Sequence, residues 1–122
     1  MTEKVLPYYE DLDVPQGSSY RFQIQMYDGG GGRKDLSNVE DARGSINYSY
    51  TAKDSDAIDI LVNVDAPPSK GIINCSVTDT QTSDLELRRY LYDIVLDYNV
   101  DGHRVTERIL EGKILVDRGI TR

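Results

Sequence analysis

The sequence predicts a single all-β domain, built as an antiparallel sandwich of about seven to eight strands. Two observations support this prediction. Apolar and polar residues alternate with a period of two in segment after segment, while the helical period is nowhere sustained beyond about two turns. Turn-forming residues separate these segments about every 8 to 12 residues, which is a spacing typical of sandwiches.

Four segments in the first two thirds of the chain have the pattern of strands. In the first of them the even positions are apolar and the odd positions polar, so one face enters a core and the other meets water. The third is followed by two prolines, which cannot donate to a ladder and therefore end the strand. The segments are Tyr20–Met26, Ser45–Thr51, Ile58–Val64 and the shorter Ile73–Val77.

A long hairpin is predicted near the C-terminus. The longest candidate strand, Arg89–Val100, is followed by Asp101-Gly102, a dipeptide that tolerates the positive φ angles of a type I′ turn. The return strand begins at His103, and its apolar parity changes from odd to even along its length. One extra residue on one strand produces such a change, so we expect a β-bulge between Arg108 and Gly112.

Two polar segments are predicted as loops. Asp28–Lys34 contains four consecutive glycines, which are entropically costly to order, so we expect a mobile hairpin tip. Thr78–Asp84 is wholly polar, and we expect it to cross from one layer to the other. We expect residues 11–122 to form the sandwich and residues 1–10 to be an N-terminal arm or a first strand.

Composition excludes several classes of function. The 122 residues suffice for one domain, and the net charge of -7 repels phosphate backbones, so we expect no nucleic-acid partner. No apolar run approaches the roughly 20 residues that cross a bilayer, and the N-terminus lacks a signal-peptide pattern, so we expect no membrane association. A single cysteine excludes an internal disulfide.

Catalytic equipment is not evident, and we expect neither an enzyme nor a cofactor. The single histidine, His103, lies beside a turn, where no nucleophile and orienting carboxylate converge on it. Cys75 alternates with apolar neighbours, as a small core residue does. The glycine run lacks the following helix and the Lys-Ser or Lys-Thr pair of a phosphate loop. Carboxylates two positions apart, without the pattern of a calcium loop, are interpreted as solvated faces: Asp11 with Asp13 and Asp54 with Asp56.

Residues 12–122 resemble the small immunoglobulin-like sandwich of tailed-bacteriophage virion proteins, including the N-terminal domain of baseplate upper proteins and tail fibres. The order and spacing of the matching segments carry the resemblance. The chain departs from the pattern at Arg88-Arg89, where relatives have a glycine. The matching segments are Val14–Gly17, Tyr20–Met26, Asp35–Ser37, Tyr90–Ile94, Asp101-Gly102, Leu110–Val116 and Ile120–Arg122.

The resemblance implies a structural protein of a phage virion, made in the host cytoplasm and acting in the tail, the baseplate or a fibre attachment. Its expected partners are other virion structural proteins, in a symmetric homo- or hetero-oligomer. Two alternatives stay open: a capsid decoration or cement protein, and a carbohydrate- or receptor-binding module. The latter requires two or three coplanar aromatic side chains on an exposed face.

Two groups of residues are candidates for the protein interface. The apolar and aromatic stretch before the first clear strand is either an arm that reaches a neighbour or a strand of its own sandwich. The arginines are able to bind a partner's carboxylates in a bidentate manner, or they form an ordinary solvated surface. The candidates are Val5, Leu6, Tyr8, Tyr9, Arg88, Arg89 and Arg122.

Overall fold

The computed structural model of the chain describes residues 8–47, 57–83, 85 and 89–118. These residues form strands, one five-residue helix and a short 3₁₀ turn, so the all-β prediction is confirmed. No helix among them is long and apolar enough to cross a membrane. The strands are β1 (Tyr8–Tyr9), β2 (Leu12–Gln16), β3 (Tyr20–Gln25), β4 (Val39–Asn47), β5 (Ile58–Val64), β6 (Ile72–Val77), β7 (Arg89–Val100) and β8 (His103–Arg118); the helix α1 is Asp79–Ser83 and the 3₁₀ turn is Pro68–Lys70.

The strands form one curled sheet in the order β1-β8-β7-β4-β5-β6-β3, with β2 also paired to β8. β5 joins the two layers, because Ile58–Ile60 pair with β4 and Leu61–Val64 pair with β6. The first layer therefore holds β1, β2, β8, β7 and β4, and the second holds β6 and β3. The sheet is mixed, since β1 and β2 run parallel to β8 whereas the other pairings are antiparallel.

The core lies between the two layers and is built from the inward positions that the alternation predicts. Ile60 and Ile94 are both buried in it, and the half-buried Phe22 packs against it. Burial of this apolar surface is the main stabilising contribution to the fold. The buried apolar residues are Leu12, Val14, Leu36, Ile46, Ile60, Val62, Ile73, Cys75, Val77, Leu85, Tyr90, Tyr92, Ile94, Leu96, Tyr98, Ile109, Leu110, Ile114 and Val116.

The predicted β7–β8 hairpin is confirmed, including its turn and its bulge. Asp101 and Gly102 both have positive φ, at 52° and 81°, as a type I′ turn requires. Ile94 pairs with Leu110 and the next residue of β7 pairs with Arg108, which leaves Ile109 as the extra residue. The bulge lets the consecutive Ile109 and Leu110 both enter the core, at 5% and 3% exposure.

β4 begins earlier than the sequence predicts. The alternation indicates a strand over Ser45–Thr51, whereas the structure has Val39–Asn47, and residues 48–51 lie outside the described part of the chain. Residues 39–44 have no strict alternation of their own. They are extended because they pair with the long strand β7. The pairing runs from Val39 to Asn47 and contains one register shift.

The predicted Thr78–Asp84 loop contains the short helix α1, which the sequence prediction missed. The Thr78 hydroxyl accepts a hydrogen bond from the backbone N–H of Gln81 at 3.2 Å. The Gln81 side chain in turn accepts from the backbone N–H of Thr78 at 2.9 Å. This reciprocal pair is a capping box, which begins a helix even within a wholly polar segment.

The glycine run forms the predicted hairpin tip, closed by an isolated bridge between Tyr27 and Arg33. The Asp28 carboxylate accepts hydrogen bonds from the backbone N–H groups of Gly30 and Gly32, at 2.9 and 3.0 Å. The amides that a phosphate loop would direct at an anion therefore bind a side chain of the same loop.

Candidate functional site: the open seam between the layers

The two sides of the sandwich differ in how they are closed. β5 passes from one layer to the other and closes one side. On the opposite side the edge strands β1 and β2 of the first layer and β3 of the second line a groove of about 480 Å³. We call this groove the seam. Its lining is mainly apolar and aromatic: Tyr8, Leu12, Tyr20, Phe22, Ile24, Met26, Tyr27, Ile109 and Leu110.

The inward face of β3 is only partly covered at the seam. Tyr20, Phe22 and Ile24 alternate as core residues do, yet all three are half-buried. By contrast, the inward-facing residues of β7, which are the even-numbered positions from Tyr90 to Tyr98, have at most 7% of their surface exposed. The first layer thus leaves an apolar surface open along β3, and such surface is a common feature of protein contact sites.

Gly112 and Tyr92 position the first strand beside the seam. A Cβ at Gly112 would lie 1.9 Å from the Glu10 carbonyl oxygen, so only glycine allows this approach. The Tyr92 hydroxyl donates a hydrogen bond to the same oxygen at 2.6 Å. Burial raises the pKa of Tyr92, and the nearby carboxylates of Glu10 and Asp11 add to the shift. The phenol therefore stays protonated and remains a donor.

The two edges of the seam carry opposite charge. Residues 8–16 contain three acids, Glu10, Asp11 and Asp13, and no base, whereas Arg21 is the only charged residue in 20–26. Partial burial, followed by the carboxylates of Glu10 and Asp13, raises the pKa of Tyr20 on β3. The acidic edge therefore lies close to β3 within one molecule.

The edge strands β2 and β3 also differ in how strongly their sequences oppose pairing with a further strand. β2 carries the acidic Asp13 and also Pro15, and a charged side chain and a proline are common devices against unwanted strand pairing. β3 has no proline, and its register with β6 is uninterrupted. Within the described residues β3 pairs with β6 alone, so its other edge presents open N–H and C=O groups.

A second polar cluster lies on the outer face of the first layer, around Asp97. The Asp97 side chain is fully covered, although the arginines that cover it are themselves more than half exposed. Thr106 and Arg104 each donate to it at 2.6 Å, and Arg43 contacts it at 3.4 Å. The Thr106 hydrogen bond, then the Arg104 hydrogen bond and charge, lower the pKa of Asp97. The cluster ties β4, β7 and β8 together through these contacts of one carboxylate.

The interface candidates from the sequence occupy separate places. Tyr8 and Tyr9 form β1, paired with Leu110 and Glu111 of the same chain, and are 68% and 55% exposed. Arg89 begins β7 and is separated from β1 by β8. The other candidates lie outside the described residues: Val5, Leu6, Arg88 and Arg122.

Sequence reasoning did not select the seam residues of β3 or the Asp97 cluster. Arg21 and Phe22 look like ordinary members of a half-buried strand, and Asp97 looks like an outward residue of β7. Their special positions come from partners far away along the chain. Arg43, for example, lies 54 residues from Asp97, and no local signal indicates that pairing.

The remaining reactive residues are placed as follows. Cys75 is 2% exposed, and burial raises the pKa of its thiol to about 12, so the thiolate that reacts is scarce at neutral pH. His103 begins β8 at the exposed end of the hairpin. The described residues contain no group of three or more His, Cys, Asp or Glu side chains able to hold a metal ion.

Similarity to one solved structure supports the fold. No family model and no curated protein matches the chain. The chain is similar to the N-terminal domain of phage TP901-1 ORF48, with a TM-score of 0.51 and 11% identity over 88% of this chain and 83% of that one. It also matches AggA, the major subunit of aggregative adherence fimbriae type I from Escherichia coli, at a TM-score of 0.36 and 10% identity over 90% of each chain. The first similarity confirms the predicted resemblance to a phage domain, as a shared fold.

Proposed function

We propose that this chain is a structural protein of a bacteriophage virion, working through protein–protein contacts in the tail, the baseplate or a fibre attachment, and not as an enzyme. The fold that it shares with a phage N-terminal domain over 88% of its length is the observation that carries the proposal. Fold similarity does not by itself assign a function. The surface of the molecule supplies the second argument.

That surface suits contact with other proteins. The seam combines an open strand edge with half-buried aromatic and aliphatic side chains, and strand edges of this kind accept a partner strand. Tyr8 and Tyr27, both lining the seam, are more than 60% exposed. Tyrosine and apolar side chains are enriched in interface cores. In a symmetric particle, weak contacts of this kind are multiplied.

A carbohydrate-binding role has less support. Glycan recognition by stacking would need exposed coplanar rings, whereas the ring contacts found among the described residues join Tyr20 to Phe22 and Phe22 to Tyr92 at 51° and 79° between planes. Phe22 faces the seam, and Tyr92 is buried in the core. Protein contact is therefore the better interpretation of the aromatic residues.

Mass spectrometry of purified particles tests the proposal. Particles are separated into heads and tails, and the amount of this chain is measured relative to a major tail protein and to a non-structural protein from the same lysate. We expect the chain to copurify with tails at a fixed ratio, because a symmetric assembly requires fixed stoichiometry. Copurification with heads would favour a decoration protein. Abundance in the lysate without incorporation in particles would contradict both.

A further inference from the structure

At the seam, each layer ends in an edge strand, β2 in the first layer and β3 in the second, and an apolar groove lies between them. We propose that two copies of this chain associate through it, β2 of each copy pairing with β3 of the other about a two-fold axis parallel to the strands. This proposal goes beyond the virion role and does not depend on it. The dimer would continue both layers across the interface and cover the groove in each copy.

Strand direction permits this pairing. β2 runs parallel to β8, and the successive antiparallel pairings from β8 through β7, β4, β5 and β6 leave β3 running opposite to β8. β2 and β3 therefore run in opposite directions on the two layers. A two-fold rotation about an axis parallel to the strands preserves direction and exchanges the layers. Each β2 then meets the partner copy's β3 in an antiparallel arrangement.

Electrostatic repulsion disfavours the alternative two-fold arrangement, in which β2 of one copy pairs with β2 of the other. If the axis were perpendicular to the layers, β2 would face β2 and bring the Asp11 and Asp13 carboxylates of both copies together. Like charges opposite each other destabilise a strand pair. With β2 against β3, the acidic edge of each copy meets Arg21 of the other. The chain carries a net charge of -7, so an edge strand with a single positive charge is the surface best able to approach the acidic edge.

The side-chain pattern defines the register. Asp13 and Arg21 both point outward, while Leu12 and Phe22 both point inward. When Asp13 lies opposite Arg21 of the second copy, Leu12 lies opposite Phe22, so an ion pair forms on the outer face and an apolar pair on the inner one. Pro15 then falls opposite Ser19, before the first residue of β3, where its missing N–H interrupts no ladder.

Sedimentation equilibrium of the purified full chain tests the dimer. We expect wild-type protein to have twice the 13.8 kDa mass of one chain at about 100 μM. Arg21→Glu and Asp13→Arg each place like charges at both symmetric contacts, so each is expected to raise the dissociation constant by about tenfold or more. Arg89→Glu makes the same charge change on β7, away from the seam, and is expected to leave the dissociation constant unchanged.

The decisive experiment mixes the two charge-reversed variants. A mixture of the Arg21→Glu and Asp13→Arg chains restores an opposite-charge pair at both contacts, so the mixture is expected to dimerise although each chain alone does so weakly. Circular dichroism and urea unfolding establish that each variant is folded. The proposal is overturned if wild-type protein is monomeric at that concentration, if Arg21→Glu has no greater effect than Arg89→Glu, or if the mixture stays monomeric. Copurification with particles is measured separately, so either proposal can fail alone.

Discussion

Single residues show how one amino-acid type serves different purposes in this fold. The sequence has nine tyrosines, which the composition alone places at the edges of the core. In the structure Tyr92 and Tyr98 are both 3% exposed, while Tyr27 is 63% exposed. The two buried tyrosines also differ, because the Tyr92 hydroxyl donates to the Glu10 carbonyl and the Tyr98 hydroxyl has no partner among the described residues.

This difference predicts opposite outcomes for the same substitution. Tyr92→Phe removes a hydrogen bond and leaves a carbonyl without its donor, so we expect the free energy of unfolding to fall by about 1 kcal/mol or more. Tyr98→Phe removes a hydroxyl whose burial is not compensated, so we expect no loss and a gain of up to about 1 kcal/mol. Urea unfolding of both variants measures this. Equal losses in the two would contradict the hydrogen-bond assignment.

At the scale of elements, local signals explain some boundaries and long-range pairing explains others. The Asp101-Gly102 turn and the bulge at Ile109 follow from residues within a few positions of each feature. The start of β4 follows instead from the length of β7. The parallel pairing of β1 and β2 with β8 brings together segments about a hundred residues apart, which alternation along one strand cannot reveal.

Gly112 offers a test at this scale. Gly112→Ala places a methyl group where the Glu10 backbone lies, so we expect β1 to move away from β8 and the free energy of unfolding to fall by about 2 kcal/mol. The backbone N–H of Glu10, which donates to the Glu111 carbonyl at 2.9 Å, should exchange with deuterium faster.

The matched control for that variant is Gly30→Ala. An added Cβ at Gly30 makes only an ordinary contact, at 3.5 Å from the nearest Asp28 oxygen, and the backbone there does not have positive φ. We therefore expect a change within about 0.5 kcal/mol. Unchanged exchange at Glu10 in Gly112→Ala would show that the glycine is not needed for the position of β1.

For the whole molecule, acid is expected to weaken the fold through Asp97. Its folded pKa lies below the ordinary value of 3.8, so its contribution is fully present above that value and is lost as pH falls through the lowered pKa. Asp65, whose pKa is lowered first by a hydrogen bond from Lys70, acts in the same direction. Asp93, whose pKa is raised by burial, acts in the opposite direction.

Comparison with Asp97→Asn isolates this contribution. The variant keeps the size of the side chain and lacks the carboxylate, so the difference in free energy of unfolding between it and wild type should shrink as pH falls from 7 to below about 4. The contributions of Asp65 and Asp93 are common to both proteins. A difference that stays constant over this pH range would contradict the assignment.

The sequence by itself determined the all-β class, the β3 and β5 strands, the long hairpin and its bulge, because each rests on short-range alternation or turn chemistry. It also predicted Tyr8 as an interface candidate, and Tyr8 lines the seam, whereas its neighbour Tyr9 on β1 is not among the lining residues. Only the tertiary structure decided that β5 closes one side of the sandwich and leaves the other open, that Arg21 lies on an open edge and that Asp97 is covered by arginines. These features depend on which strands become neighbours, and that choice is made by packing of the whole core and not by any residue's local sequence.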